Sequence, residues 1–157
     1  MSDAKNPFRP LDDDARQTMA TLLRDTHAAL AVIDPQTGAP SVTRIGFVWL
    51  DGQALTIIST LSTHTGALDA NPACGLMLGQ PEPKGDPLTY PRLSLDARAE
   101  TLDKAAWRDR YIAARPKTKL YFDFTDFRLI RFNVDKGLLN GGFGKAYKVT
   151  PADLPRL

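Results

Sequence analysis

The chain has 157 residues, enough for one domain with a real core, and an apolar content of 43% argues against disorder. A formal charge of +2 is too small to mark a nucleic-acid or membrane surface, and the lone cysteine, Cys74, permits no disulfide within the chain. There is no apolar run of ~18 residues and no apolar core near the N-terminus, so the sequence reads as a cytoplasmic protein without a span or a signal peptide.

Residues 1–11 are polar, carry Pro7 and Pro10, and read as an arm ahead of a single domain, 12–157. Asp12 to Asp14 supply an N-cap and negative charge for a first helix. Ala15, Met19, Leu22 and Leu23 fall at i, i+4, i+7 and i+8, which gives that helix one apolar face ending near Asp25. His27 stands at its exit, where it caps the helix C-terminus or sits in a strand edge, with a catalytic role as the lesser alternative. Ala28–Asp34 is an apolar strand, Pro35-Gln36-Thr37-Gly38 a turn, and Ser41–Leu50 the returning strand. Asp51-Gly52 is a hairpin signal leading into Ala54–Thr60, where apolar and β-branched residues alternate. Three antiparallel strands therefore run consecutively.

The Ser41–Leu50 strand places Ile45, Phe47 and Trp49 on one face and Val42, Arg44, Gly46, Val48 and Leu50 on the other. A guanidinium among aliphatic side chains needs an anion. Three outcomes stand open for Arg44: pairing with a protein carboxylate such as Asp69 or Glu100, reaching out to solvent, or holding a phosphate on a ligand. Gly46 leaves room for something flat to approach the backbone.

After Thr60, Ser62 occupies an N-cap position for a helix over Thr63–Ala70, closed by Asn71-Pro72. The Ser62 hydroxyl is expected to accept from the amide of His64 or Thr65. A helix start crowded with Ser59, Thr60, Ser62, Thr63, His64 and Thr65 suits an anion, or is a capped turn at the surface. Ala73–Gly79 resumes as a strand, with Cys74 as a buried thiol. Gln80–Tyr90 is a proline-rich loop. Arg92–Leu102 alternates cleanly between an apolar and a polar face. Asp103 caps a second amphipathic helix containing Trp107 and Tyr111 and ending at Arg115-Pro116. Lys117–Phe122 is a short turn of helix. Phe124–Asn140 is a long strand, or a strand pair, with a bulge or turn at Asp135-Lys136-Gly137. The glycine run Gly141–Lys145 lacks the spacing of a nucleotide-binding loop.

Taken together, PSVTRIGFVWL, STLSTHTGALDANP, YPRLSLDARAE and GGFGKA resemble the FMN-binding split-barrel family related to pyridoxamine 5′-phosphate oxidase. They are most similar to its haem-utilisation (HugZ-type) branch. The resemblance covers about Ala15 to Tyr147. It implies a mainly β fold, a six-stranded antiparallel Greek-key barrel with helices, and a homodimer with FMN at the interface. It implies that Arg44 grips the FMN phosphate and that the backbone of Ile45, Gly46, Phe47 and Val48 runs along the flavin. The phosphate segment falls on Ser59, Ser62, Thr63 and His64, and contacts from the partner chain on Arg92 and the Phe143–Lys145 loop. Many members carry Arg-Lys where this chain has Thr63-His64, a loss of charge that protonation of His64 would offset.

Two further departures matter. The C-terminal Trp and Arg segment of the vitamin oxidases is missing, and so is the C-terminal histidine of haem-handling members, since His27 and His64 are the only histidines. The expected function is an FMN-dependent oxidoreductase of unknown substrate, without a metal ion or nucleic-acid partner, and no acid or base presents itself. The alternatives are a non-enzymatic flavin or haem binder and a barrel that has lost its cofactor.

Overall fold

The computed structural model describes residues 5–157. Its elements are α1 (Asp13–Leu22), β1 (His27–Ile33), β2 (Pro40–Gly46), β3 (Val48–Leu50), β4 (Gln53–Ser59), α2 (Thr63–Ala70), β5 (Ala73–Leu78), β6 (Arg92–Leu102), α3 (Lys104–Ala114), β7 (Phe127–Asn140) and β8 (Ala146–Val149). The Lys117–Phe122 turn is a 3-10 helix over Pro116–Leu120. Among the described residues, no helix is long and apolar enough to cross a membrane.

All the strands form one antiparallel sheet in the order β2-β1-β5-β6-β7-β4-β3, with β8 beside β7. It has eight strands rather than the expected six, because Ser41–Leu50 is two strands and the chain after the glycine run adds another. The sheet curls until β4 meets β2, where the Thr56 hydroxyl donates to the Gly46 carbonyl at 2.6 Å. The expected run of three consecutive antiparallel strands keeps its pairings, β1 with β2 and β3 with β4, but its middle strand is split in two. The break falls at Phe47, whose amide donates to the Thr26 carbonyl at 2.9 Å instead of continuing a ladder. Asp135 is the extra residue of a bulge, since Asp96 faces Lys136 while Ala97 faces Val134.

The inside of the curl is the main core. Leu30, Ile45, Phe47, Ile58, Leu76, Leu93 and Phe132 fill it, and Ala15, Met19, Leu22 and Leu23 of α1 close one end. Helix α1 forms as its spacing predicts, with the Asp12 carboxylate accepting from the Ala15 amide at 2.8 Å. Each of its large buried side chains contributes about 1.5–3 kcal/mol.

The outer face of the sheet is covered at one end only. There α3 and the following turn lay Tyr111 and Phe122 over Val48, Leu55, Ile57 and Leu129 in a second core. The Tyr111 hydroxyl is sealed there without a partner, and burial pushes its pKa up. Covering stops at Arg115, so the outer faces of β2, β1, β5 and β6 lie open.

Candidate functional site

Strand register defines what the open face presents. Arg44 lies opposite Ala29, Ala29 opposite Met77, Met77 opposite Ser94, Ser94 opposite Leu138, and Leu138 opposite Lys148. Directly opposed residues share a face, so these six form one row across the sheet. A neighbouring row runs Val42, Ala31, Gly75, Asp96, Lys136. Small residues hold the middle. Val42 is 68%, Met77 45% and Leu138 50% exposed, so three apolar side chains stand out on this face.

At the border with α3 the open face becomes cationic. The face expected for Arg44 is correct, and of the outcomes left open for it the structure shows the solvent-exposed one: nothing covers β2 beyond Gly46. It does not pair with the suggested carboxylates. Asp69 holds Arg128 at 2.8 Å and Glu100 holds Arg131 at 2.8 Å. Two residues along the strand, the flat group against Gly46 belongs to the protein itself. A Cβ on Gly46 would stand 3.0 Å from Cζ of Arg115. Arg115 donates from Nε to the Thr26 carbonyl at 3.2 Å and from Nη1 to the Tyr121 hydroxyl at 2.6 Å. Neither Arg44 nor Arg115 has an ion-pair partner among the described residues. His27 lies directly opposite Gly46 on the same face. The geometry therefore brings together Arg44, Arg115 and His27.

The predicted phosphate segment is a neighbouring but different place. The Thr43 hydroxyl and Nδ1 of His64 are 3.1 Å apart, which sets the first turn of α2 against β2. Ser62 stands at the N-cap with extended backbone, yet its hydroxyl makes no capping bond, contrary to expectation. The Ser59 hydroxyl donates to Asp126 at 2.6 Å and accepts from the Leu61 amide at 3.1 Å, so it is committed to the turn. Thr63 and His64 line a groove of about 430 Å³ together with Asp34, Gln36 and Ser41, and Arg44 is not on it.

His64 offers no compensating charge in this state. Burial holds its pKa below the ordinary 6.5. The folded chain thus takes up this proton less readily than the unfolded one, and stability present above 6.5 is lost as pH falls through the folded value. The melting temperature of wild type should fall more steeply than that of His64→Gln from about pH 7 to pH 5. Parallel curves would show that His64 carries no such linkage.

Arg92 donates to the Leu88 carbonyl at 3.2 Å, and its strand is three strands from that of Arg44, about 14 Å away. Lys145 sits in the β7–β8 hairpin, where its amide donates to the Gly142 carbonyl at 3.1 Å. Within one chain neither residue reaches the Arg44 border. Ile45 and Phe47 point into the core and Val48 under α3, so only their backbone faces outward.

Residues 12–140 match the family described as pyridoxamine 5′-phosphate oxidase. The chain belongs to that family. Within it, the chain is 30% identical over 132 residues to the heme oxygenase HutZ of Vibrio cholerae, covering 80% of this chain and 74% of HutZ. It is 35% identical over 99 residues to the chloroplastic non-canonical heme oxygenase HOZ of Arabidopsis thaliana, covering 60% of this chain but 29% of HOZ. A solved structure of an Agrobacterium tumefaciens protein of unknown function superposes with a TM-score of 0.79 at 31% identity, covering 95% of this chain and 64% of that one. The chain is thus related to the haem-utilisation branch and spans under two thirds of two of these relatives.

For FMN, the expected phosphate groups are dispersed: Arg44 has no ion-pair partner among the described residues and the Ser62 hydroxyl makes no capping bond, but Arg44 is not on the groove lined by the first turn of α2. Its charge is low, because His64 is kept neutral and Asp126 stands close to Ser59. The outer surface of Gly46, where the flavin ring was expected, is taken by Arg115. For haem, the border residues fit differently. Two unpaired guanidiniums suit two carboxylates, small residues give a flat bed, and one imidazole is unbonded.

Proposed function

We propose that this chain is a haem-binding oxidoreductase of the pyridoxamine 5′-phosphate oxidase family, acting as a homodimer. The observation that carries the reading is the pair of guanidiniums, Arg44 and Arg115, without carboxylate partners at the edge of a flat face of small residues. A planar ligand with two carboxylates satisfies both cations and lies against Ala29 and Ala31. The haem-oxygenase names of two relatives support the same ligand. Haem, when bound, would supply iron redox chemistry; the residues of the chain hold it and exclude water. The second copy covers the row through Met77, Ser94 and Leu138, so that the cofactor lies beside the interface, with Arg92 and Lys145 of the second copy available to complete it. With a single free cysteine, Cys74, and no disulfide, we place the protein in the cytoplasm.

The test is a titration of haemin into purified protein, followed by addition of a reductant in air. The reading expects saturation at one haem per chain, then loss of the haem absorption band faster than for haemin alone. Failure to bind haem overturns it. Binding without accelerated loss leaves a haem carrier and overturns the enzymatic part.

A second reading, an FMN oxidoreductase, is favoured by the Ser62 hydroxyl, which makes no capping bond at the start of α2, and by Arg44, which lies on the strand that α2 touches and has no ion-pair partner among the described residues. Here Arg44→Ala should weaken FMN by about 2–4 kcal/mol, because a charge-assisted contact is lost. Riboflavin, lacking the phosphate, should bind both proteins alike. Calorimetric titration of both flavins checks this, and equal binding of FMN to both proteins would remove Arg44 from any phosphate site.

A further inference from the structure

We infer that His27 is the haem iron's protein ligand in this chain, an assignment that rests on the haem reading above. The chain has two histidines. His64 is unsuited to the task, since its Nδ1 lies 3.1 Å from the Thr43 hydroxyl and its Nε2 is buried without access to solvent. Freeing that ring would require the first turn of α2 to come away from β2.

His27 has the opposite character. It opens β1, where Ala28, Leu30 and Val32 point into the core and His27, Ala29 and Ala31 point outward. Its imidazole is half-buried and makes no hydrogen bond among the described residues, so either nitrogen is available. Gly46, directly across the ladder, offers no side chain to crowd it. The space that a side chain would take is held by the Arg115 guanidinium, and Arg44 lies diagonally across on the same face. The two cations that suit the propionates thus flank the imidazole.

Other side chains capable of binding iron fit less well. Cys74 is a poor thiolate, because burial and the nearby Asp135 carboxylate push its pKa up to about 11. Met77 shares the open face but stands opposite Ala29, one strand further from both arginines.

The test compares wild type, His27→Ala and His64→Gln by haemin titration, with melting curves as a check on folding. His27→Ala should weaken haemin by more than about tenfold, the scale on which even outer-shell partners of a metal matter. It should also lose the spectrum of an imidazole-ligated ferric haem and regain it when free imidazole is added. His64→Gln should keep that spectrum. To leave His27 untouched, His64→Gln is also made with 15N-histidine, so that His27 is the single labelled residue. Coupling between that nitrogen and the ferric electron spin is expected in electron paramagnetic resonance. Absence of that coupling in haem-loaded protein, or an unchanged spectrum in folded His27→Ala, overturns the assignment while leaving the haem reading intact. If wild type binds no haemin, both fall.

Discussion

Arg44→Gln combined with Arg115→Gln is expected to weaken haem binding by about a thousandfold, since each guanidinium loses a charge-assisted contact worth roughly 1.5–3 kcal/mol. The magnitude follows from the setting. Neither side chain has a carboxylate to neutralise it, so binding costs no existing ion pair. Arg44 is exposed and its replacement should leave the melting temperature unchanged. Arg115→Gln gives up bonds to Thr26 and Tyr121 and will cost some stability, which a urea titration measures separately. Glutamine keeps part of the aliphatic stem but not the guanidinium that lies against Gly46. Titration of haemin at two salt concentrations should show the wild-type affinity falling with ionic strength and the double variant nearly insensitive. Equal affinity of wild type and double variant would mean that the anionic groups of the ligand lie elsewhere.

Met77→Asp together with Leu138→Asp should convert a dimer into a monomer, raising the dissociation constant by about a thousandfold or more. Two carboxylates would be buried against an apolar partner surface, each at a cost of several kcal/mol. Both side chains are already about half exposed in the isolated chain, 45% and 50%, so the fold itself should tolerate the change. Sedimentation equilibrium should give twice the chain mass for wild type and the chain mass for the variant, with matching circular dichroism. A wild-type monomer, or a variant that dimerises normally, would remove the open sheet face as the interface.

Local signals in the sequence carried further than long-range ones. The spacing of Ala15, Met19, Leu22 and Leu23 located α1 and its buried face, because helix periodicity and capping at Asp12 are properties of the segment alone. Asp51-Gly52 marked a hairpin for the same reason: both residues adopt positive φ, 52° and 74°. The split of Ser41–Leu50 at Phe47 was not legible, since it depends on Thr26 and Thr56, which are distant in sequence. The two-residue period assigned Arg44 to the correct face. Its burial, however, depends on where α3 ends over that face, and no pattern within the strand records this. Ser62 was correctly placed at a helix start, but whether its hydroxyl caps depends on side-chain orientation.

Arg115 was missed for a related reason. In the sequence Arg115 marks the end of a helix, which it is, and Gly46 leaves space for a flat group, which the Arg115 guanidinium fills. Only the packing of α3 on the sheet shows that the second observation answers the first. The Arg-Pro pair is a hint only to the helix end, since proline pushes the preceding residue out of the helical region, and Arg115 has φ −140° and ψ 79°.

Backbone-amide chemical-shift mapping during titration with a diamagnetic zinc protoporphyrin tests the central claim most directly. The account predicts perturbations concentrated at His27–Ala31, Val42–Gly46 and Arg115–Tyr121, with Thr63–Ala67 little affected. Perturbations confined to Asp34, Ser41 and Thr63–Ala67, the groove beside α2, would contradict it.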